Sequence, residues 1–378
     1  MAKFPPNEII SLLDVNLKFN LAESTATNLT FGEIADDVFL SELKKLELGY
    51  GTSRGCEPLR NEIASRTATS ADKVMITNGA ASSIFLTVFS LCNFGDEVVT
   101  VVPNFPPTMD IISAVGATKK TLPLSFDEGY ELNIERLSSV LSEHTRLVIF
   151  VTPHNPSGTS TIPKTIETAI NLIQQKSPKA YILIDETYRE ATYGDNQVAH
   201  SMAGFSERVL TTTSLSKCHG APGIRLGWLT CNDAELLEQL TLAKMNTVIA
   251  CSVMDEFVGL HILKNSQGIL DERKMLLQKG VTIVEHWIQK NAEFVEWVRP
   301  NAGALCCVRL RPDIFTDTEV NAFYSQARIL QVQLASGEWF GEQKRVFRLG
   351  FGFLPLPSLE QALSLLEGTL RKTTGGTR

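Results

Sequence analysis

No two cysteines stand at a C-x-x-C spacing: Cys56, Cys92, Cys218, Cys231, Cys251, Cys306 and Cys307 are scattered or adjacent. Neither a zinc site nor a disulfide framework is suggested, and a reducing cytoplasm fits best. Basic charge is not in excess, with 35 Lys and Arg against 42 Asp and Glu and a formal net charge of −7. A nucleic-acid partner, which needs a basic face, is therefore not expected. No apolar run approaches the ~20 residues of a membrane span, and the stretch Met1 to Glu8 has no apolar core of the signal-peptide kind, so a soluble, unexported chain is expected with no membrane partner. Repeats and low-complexity linkers are missing too. Only a polar tail, Thr373 to Arg378, reads as disordered.

What the chain does have is 378 residues with 43% apolar content, enough for at least one large core and, by length, two unequal domains. From about residue 56 to 250, β-rich apolar runs alternate with helix-like stretches, the pattern of an α/β fold with a mostly parallel sheet flanked by helices. Strands are predicted at Lys73 to Thr77, Glu97 to Val102, Leu147 to Thr152, Tyr181 to Ile184 and Val209 to Thr213, with a helix at Ala81 to Leu91. A long helix, Asp271 to Asn291, then short strands and a last helix, Ser358 to Arg371, predict a smaller α+β domain. The expected division is 1–40 as an N-terminal segment joining the small domain, 41–270 as the large domain and 271–378 as the small one. Ligands of open α/β sheets sit beyond the carboxyl ends of the strands, so the chemistry is sought there.

The loop Ser214-Leu215-Ser216-Lys217-Cys218-His219-Gly220-Ala221-Pro222-Gly223-Ile224-Arg225 follows such a strand. Lys217 is either a solvated surface charge, the commoner fate of a lysine, or an amine able to form a Schiff base with an aldehyde. Its company favours the second: Ser214 and Arg225 stand where they could hold a phosphate on that aldehyde. The segment Asn78-Gly79-Ala80-Ala81-Ser82-Ser83, between a strand and a helix, is either a plain tight turn or a second cradle for the phosphate. Asp185 ends an apolar strand. It reads as a helix N-cap or as a partly desolvated carboxylate paired with a protonated pyridine nitrogen. Tyr188 and Asn155, the latter in the proline-fixed loop Thr152-Pro153-His154-Asn155-Pro156-Ser157-Gly158, could hydrogen-bond a ring hydroxyl. Phe105 could stack on the ring, or simply pack in the core. The glycines at 49, 51 and 55 follow a helix-like segment, Ser41 to Leu48, rather than a strand, so they are not a nucleotide fingerprint.

Asn155-Pro156-Ser157-Gly158, Asp185-Glu186-Thr187-Tyr188, Ser216-Lys217 and Pro222-Gly223-Ile224-Arg225-Leu226-Gly227 together resemble the fold-type I, pyridoxal 5′-phosphate (PLP)-dependent enzymes of the class I/II aminotransferase family, over nearly the whole chain. The resemblance implies the PLP-dependent transferase fold, PLP as cofactor and Lys217 as its catalytic Schiff-base lysine. It implies cofactor contacts from Ala80, Ala81, Phe105, Asn155, Asp185, Tyr188, Ser214 and Arg225. It implies a homodimer in which Tyr50 reaches the phosphate of the neighbouring subunit, and an amino-acid substrate whose α-carboxylate is gripped by Arg348.

Within that family, Asn20-Leu21-Ala22-Glu23-Ser24-Thr25, Leu29-Thr30-Phe31-Gly32-Glu33-Ile34 and Pro153 to Gly158 are most similar to enzymes that cyclise hydroxylated arginine, of the capreomycidine-forming kind and the L-enduracididine-forming kind of guanitoxin biosynthesis. A Gly-x-Gly-x-Pro type segment, common near the N-terminus of ordinary aminotransferases, is missing, which argues against simple transamination. The implied reaction is cyclisation of 4-hydroxy-L-arginine to L-enduracididine. Released Lys217 removes the Cα proton, Cβ is acidified in turn, the γ-hydroxyl leaves to give a β,γ-unsaturated acceptor, and the guanidine attacks Cγ. Something must assist the poor leaving group and something must hold the guanidinium. Glu8, Glu23 and Thr25 are the candidates for these substrate contacts, alongside Arg348 and Asn155. His154 and His219 flank the core motifs and read as structural hydrogen-bonders. Two enzyme alternatives use the same lysine, aspartate and arginine: transamination between an amino acid and a 2-oxo acid, and capreomycidine-type cyclisation of 3-hydroxyarginine. A ligand-sensing module on the same fold is disfavoured by the acidic charge and short N-terminus.

Overall fold

The computed structural model describes residues 4–374. Its larger sheet has seven strands: β1 Val74–Thr77, β2 Glu97–Val102, β3 Thr118–Pro123, β4 Thr145–Val151, β5 Tyr181–Asp185, β6 Val209–Ser214 and β7 Gly227–Cys231, in the order β1-β7-β6-β5-β4-β2-β3. The run from β6 to β3 is parallel, and β7 is antiparallel to both its neighbours. Both faces are covered, which is why the strands read as unbroken apolar runs rather than as alternating ones. Along β4, Leu147 and Ile149 join one core with the helices Ala80–Leu91, Pro106–Ala114 and Ala234–Met245, while Val148 and Phe150 join the opposite core with Ile134–Val140 and Pro163–Lys176. That is the period of two expected of a strand.

A second sheet is antiparallel throughout, with strands β8 Val295–Val298, β9 Leu305–Leu310, β10 Ala335–Ser336 and β11 Val346–Gly350 in the order β10-β11-β9-β8. The helices Ser266–Lys290, Asp317–Ile329 and Leu356–Thr374 enclose its core.

The segment from Phe19 to Leu29 ties the two sheets together. Phe19–Asn20 pairs in parallel with Val332–Gln333, and Leu21 accepts from Gly350 N at 2.7 Å. It then crosses to the Lys217 loop, where Ala26 N donates to Lys217 O at 3.3 Å and Leu29 N to Gly220 O at 2.7 Å. Gly350 is required here, because a Cβ would collide with the Glu23 carbonyl oxygen.

Several sequence expectations shift. Two strands were not foreseen: β3, an edge strand carrying Lys119 and Lys120 among mostly exposed residues, and β7, whose Gly and Trp obscure its pattern. The helix expected at Ser41 to Leu48 lies earlier, at Asp37–Leu43, because Asp36 caps it by accepting from Phe39 N at 2.7 Å. The long helix begins at Ser266 rather than Asp271. The last helix runs on to Thr374, so the expected disordered tail is helical at its first two residues, and 375–378 lie outside the described residues.

Candidate active site

A cavity of about 540 Å³ opens beyond the carboxyl ends of β4, β5 and β6. Lys217, Asp185, Asn155, Tyr188, Ser214, Arg225, Ala80, Ala81, Phe105, Arg348, Glu23 and Thr25 all line it, although they come from seven separate stretches of chain. The structure therefore brings together every candidate except Glu8 and Tyr50.

Asp185 closes β5 at the cavity floor. No helix follows it; residues 187–190 form turns, and Asp185 Oδ1 accepts from Thr187 N at 2.9 Å and from Thr187 Oγ1. The N-cap alternative thus becomes a local Asx turn that steadies the carboxylate. Burial pushes the Asp185 carboxyl above its ordinary value, more than the Thr187 hydrogen bonds and the Lys217 charge bring it down. A cation set against it would reverse that balance.

At one end of the cavity the helix Ala80–Leu91 begins with Gly79 and has no side-chain cap, so the first N–H groups at Ala80 and Ala81 are available to an anion. Gly79 has φ +79°, and a Cβ on it would lie 2.6 Å from Arg225 Nη2. The guanidinium thus packs directly over the helix start. Arg225 is itself held by Pro222 O at 2.9 Å, and Ser216 Oγ lies at 3.5 Å from its Nη1. The helix N-terminus, the arginine and Ser214 line the same cavity, and their donors suit an anion such as a phosphate.

Lys217 is not a solvated surface lysine. Its side chain is 26% exposed and its Nζ lies 3.1 Å from Ser24 Oγ and 3.5 Å from Glu23 Oε1. Burial works to raise the Glu23 carboxyl, but the charges of Lys217 and Arg348 and the Ser24 N–H, at 2.7 Å, hold it below the ordinary range. Arg348, on β11, is 2% exposed. It donates from Nη1 to Asn155 Oδ1 at 2.9 Å and from Nη2 to Ala22 O, while its Nε has no partner among the described residues. A guanidinium that lines the cavity and is this deeply buried, without an acidic partner in hydrogen-bond contact among the described residues, suits an incoming carboxylate. Thr25 Oγ1 is likewise buried with no hydrogen-bond partner among the described residues.

Two candidates fall elsewhere. Glu8 begins the 3₁₀ turn Glu8–Ile10, in which successive side chains point about 120° apart. Ile9 faces the cavity, so Glu8 is turned away and lines a separate pocket with Asp110 and Glu338. Glu8 therefore lines no part of the Lys217 cavity. Tyr50 is 89% exposed and lines no part of it. The two histidines are internal. His154 bonds Pro103 O at 2.8 Å through Nε2 and Ser157 Oγ at 2.7 Å through Nδ1, and burial lowers it to about 4. His219 is 1% exposed and is likewise lowered by burial. Its expected hydrogen bonds are not made: neither ring nitrogen has a partner among the described residues, and Glu190 Oε2 lies 3.9 Å away.

Sequence reasoning missed Ser24, Ser216 and Thr187. Thr187 acts locally, bonding Asp185 two residues before it, and Ser216 and Ser24 act on residues that fold against them; all three stood inside or beside the sequence motifs without being singled out.

The aminotransferase class I and II model matches residues 18–354 of this chain. The chain belongs to that family. Its cofactor is PLP, and the cavity fits it: an amine at Lys217, a carboxylate at Asp185 that lacks a strong cation, and an anion cradle at Ala80, Ala81 and Arg225. Capreomycidine synthase of Streptomyces vinaceus is 28% identical over 373 residues, covering 96% of this chain and 92% of that protein. The arginine–pyruvate transaminase of Pseudomonas aeruginosa is 30% identical over 187 residues, covering 48% and 47%. Among solved structures, the PLP-dependent cyclase OrfR superposes with a TM-score of 0.88 at 24% identity over 98% of both chains. A PLP-dependent aminotransferase of Streptococcus suis gives 0.89 at 24% identity, covering 98% of this chain and 99% of that one. Among the described residues no helix is long and apolar enough to cross a membrane.

Proposed function

We propose that this family member cyclises 4-hydroxy-L-arginine to L-enduracididine, losing the γ-hydroxyl as water. The observation that carries the reading is Glu23, a carboxylate in the cavity besides Asp185, held ionised beside Lys217 and Arg348. A site for an amino acid with a neutral side chain has no use for such a group. A guanidinium does. The overall similarity to capreomycidine synthase supports the same class of chemistry.

Bound through Lys217, PLP supplies an electron sink that makes the substrate Cα–H acidic. Arg348 binds the α-carboxylate with its guanidinium, whose plane Asn155 helps to fix. Asp185 would hold a cation on the cofactor ring and would itself be kept ionised by it, against the burial that raises its carboxyl. The Lys217 amine takes the Cα proton and, once relieved of it, a Cβ proton, so that the γ-hydroxyl can leave from the neighbouring carbon. Glu23 holds the guanidine end against Cγ, and Thr25 Oγ1 donates to the departing hydroxyl. Attack is intramolecular, so its cost in lost freedom is small once both ends are held. The protein acts as a homodimer in which Tyr50 completes the partner's phosphate site, in keeping with its exposure here.

A second reading, transamination of an arginine-like amino acid, draws on the partial similarity to the arginine–pyruvate transaminase. Purified holoenzyme given 4-hydroxy-L-arginine alone decides between them, with products identified by mass and NMR. Catalytic turnover to a product lighter by one water is expected. A single turnover that halts until a 2-oxo acid is added refutes cyclisation, and turnover of 3-hydroxyarginine in its place moves the assignment to capreomycidine-type chemistry.

A further inference from the structure

Ser24 is 3% exposed, and its hydroxyl is the meeting point of three functional groups. Tyr188 Oη donates to Ser24 Oγ at 3.2 Å and Lys217 Nζ donates to it at 3.1 Å. A serine hydroxyl accepts two hydrogen bonds and donates one. With both acceptor positions taken, its own proton must go to a third partner, and the nearby acceptor is Glu23 Oε1, 3.5 Å away. Glu23 is meanwhile fixed by the N–H groups of Ser24 at 2.7 Å and Thr25 at 3.2 Å, which orient this same Oε1. Direction is therefore built into the cluster: donor hydrogens run from Lys217 to Ser24 and from Ser24 to Glu23, while Lys217 Nζ meets Glu23 Oε1 directly only at 3.5 Å, the longer of its two contacts.

We infer that Ser24 is a catalytic proton relay between the two ends of the reaction, carrying the proton taken at Cα to Glu23. The inference rests on the assignment of Lys217 as the Cα base. Once that proton has made the amine an ammonium, Lys217 gives one proton to Ser24 Oγ as Ser24 gives its own to the Glu23 carboxylate. One N–H and one O–H bond break and two O–H bonds form; ammonium and carboxylate become amine and carboxylic acid. Lys217, again an amine, then takes a Cβ proton whose bonding pair becomes the Cβ=Cγ bond as Glu23 protonates the γ-hydroxyl and the Cγ–O pair leaves with the water; after attack at Cγ the Cβ proton and the guanidine N–H proton restore Cβ–H and Cα–H. The proton lost at Cα thus leaves in the water, with no outside acid or oxidant. Lys217 returns to its basic form for the next proton, and Glu23 to the carboxylate that holds the guanidinium. Tyr188 occupies one lone pair of the relay and so is a positioning residue for it.

The test uses holoenzyme of wild type, Ser24→Ala and Ser24→Thr, the last keeping a hydroxyl. Cα–H cleavage is timed by stopped-flow absorbance with L-arginine and its α-deuterated form, and washout of the α-deuterium into water is followed by NMR. In Ser24→Ala, cleavage should stay within about 3-fold of wild type while washout slows about 10-fold or more, because the proton is trapped on Lys217 and returned. Ser24→Thr should restore washout to within about 3-fold of wild type. A separate readout is cofactor uptake by the apoenzyme: loss of an acceptor for the charged amine should move the pH midpoint of uptake downward in Ser24→Ala. Equal losses of cleavage and washout, unchanged washout, or an unmoved midpoint each overturn the relay. Failure of wild type to form product from 4-hydroxy-L-arginine refutes the cyclase reading alone, since the arginine measurements still judge Ser24.

Discussion

Protonation of His154 offers a quantitative check on how the Asn155 loop is held. Pro103 O can only accept, so Nε2 carries the ring hydrogen and Nδ1 accepts from Ser157 Oγ, with bonds of 2.8 and 2.7 Å. A second proton on Nδ1 breaks that arrangement in a fully enclosed site, and burial lowers the group from 6.5 to about 4. Between these two values the unfolded chain binds the proton and the folded chain does not, so stability is full above about pH 6.5 and falls as the pH drops toward 4. At about 1.4 kcal/mol per tenfold change, the loss attributable to this residue is about 2 kcal/mol by pH 5 and about 3 kcal/mol by pH 4. His154→Gln keeps a donor for Pro103 and cannot be protonated. Urea unfolding of holoenzyme, followed by circular dichroism at pH 8, 6, 5 and 4, should show the wild type's advantage over this variant shrinking by those amounts. Curves that run parallel to within about 0.5 kcal/mol would falsify the neutral, doubly bonded imidazole.

Lys217→Ala should yield folded but colourless protein, with no visible band after incubation with PLP and no exchange of substrate Cα–H; a retained band sinks the assignment of the lysine. Arg348→Lys keeps the charge but loses the planar fork, so KM for the amino acid should rise roughly 30-fold with little change in PLP affinity. Equal weakening of cofactor and substrate, measured by absorbance titration and initial rates, would count against a carboxylate role. In Gly79→Ala the residue must hold φ +79° while its Cβ crowds Arg225, so PLP should dissociate about tenfold more readily, a cost of about 1.4 kcal/mol. An unchanged dissociation constant would mean that the helix start does not bind the phosphate.

The sequence alone determined the chemistry on offer. Strand ends followed by Asn155, Asp185 and the Ser214 to Arg225 loop were legible because buried parallel strands are continuous apolar runs and their turns are marked by proline, glycine and polar residues. Those local motifs pointed to the cofactor and carried the resemblance that implied the family, and Arg348, Glu23 and Thr25 on the cavity wall came from the resemblance alone. Only the tertiary structure decided which charged residues reach the cavity. Glu8 and Glu23 looked alike as N-terminal acids, yet a 120° step on one turn points Glu8 away, while Glu23 is drawn in by a strand pairing with Val332 and a collision-free pass over Gly350. Ser24 became notable only through Tyr188 and Lys217, residues 164 and 193 positions away. Local patterns report a residue's own backbone and burial, whereas a proton path is a set of distances among side chains far apart in the chain, fixed only when the sheets and the crossing segment pack together.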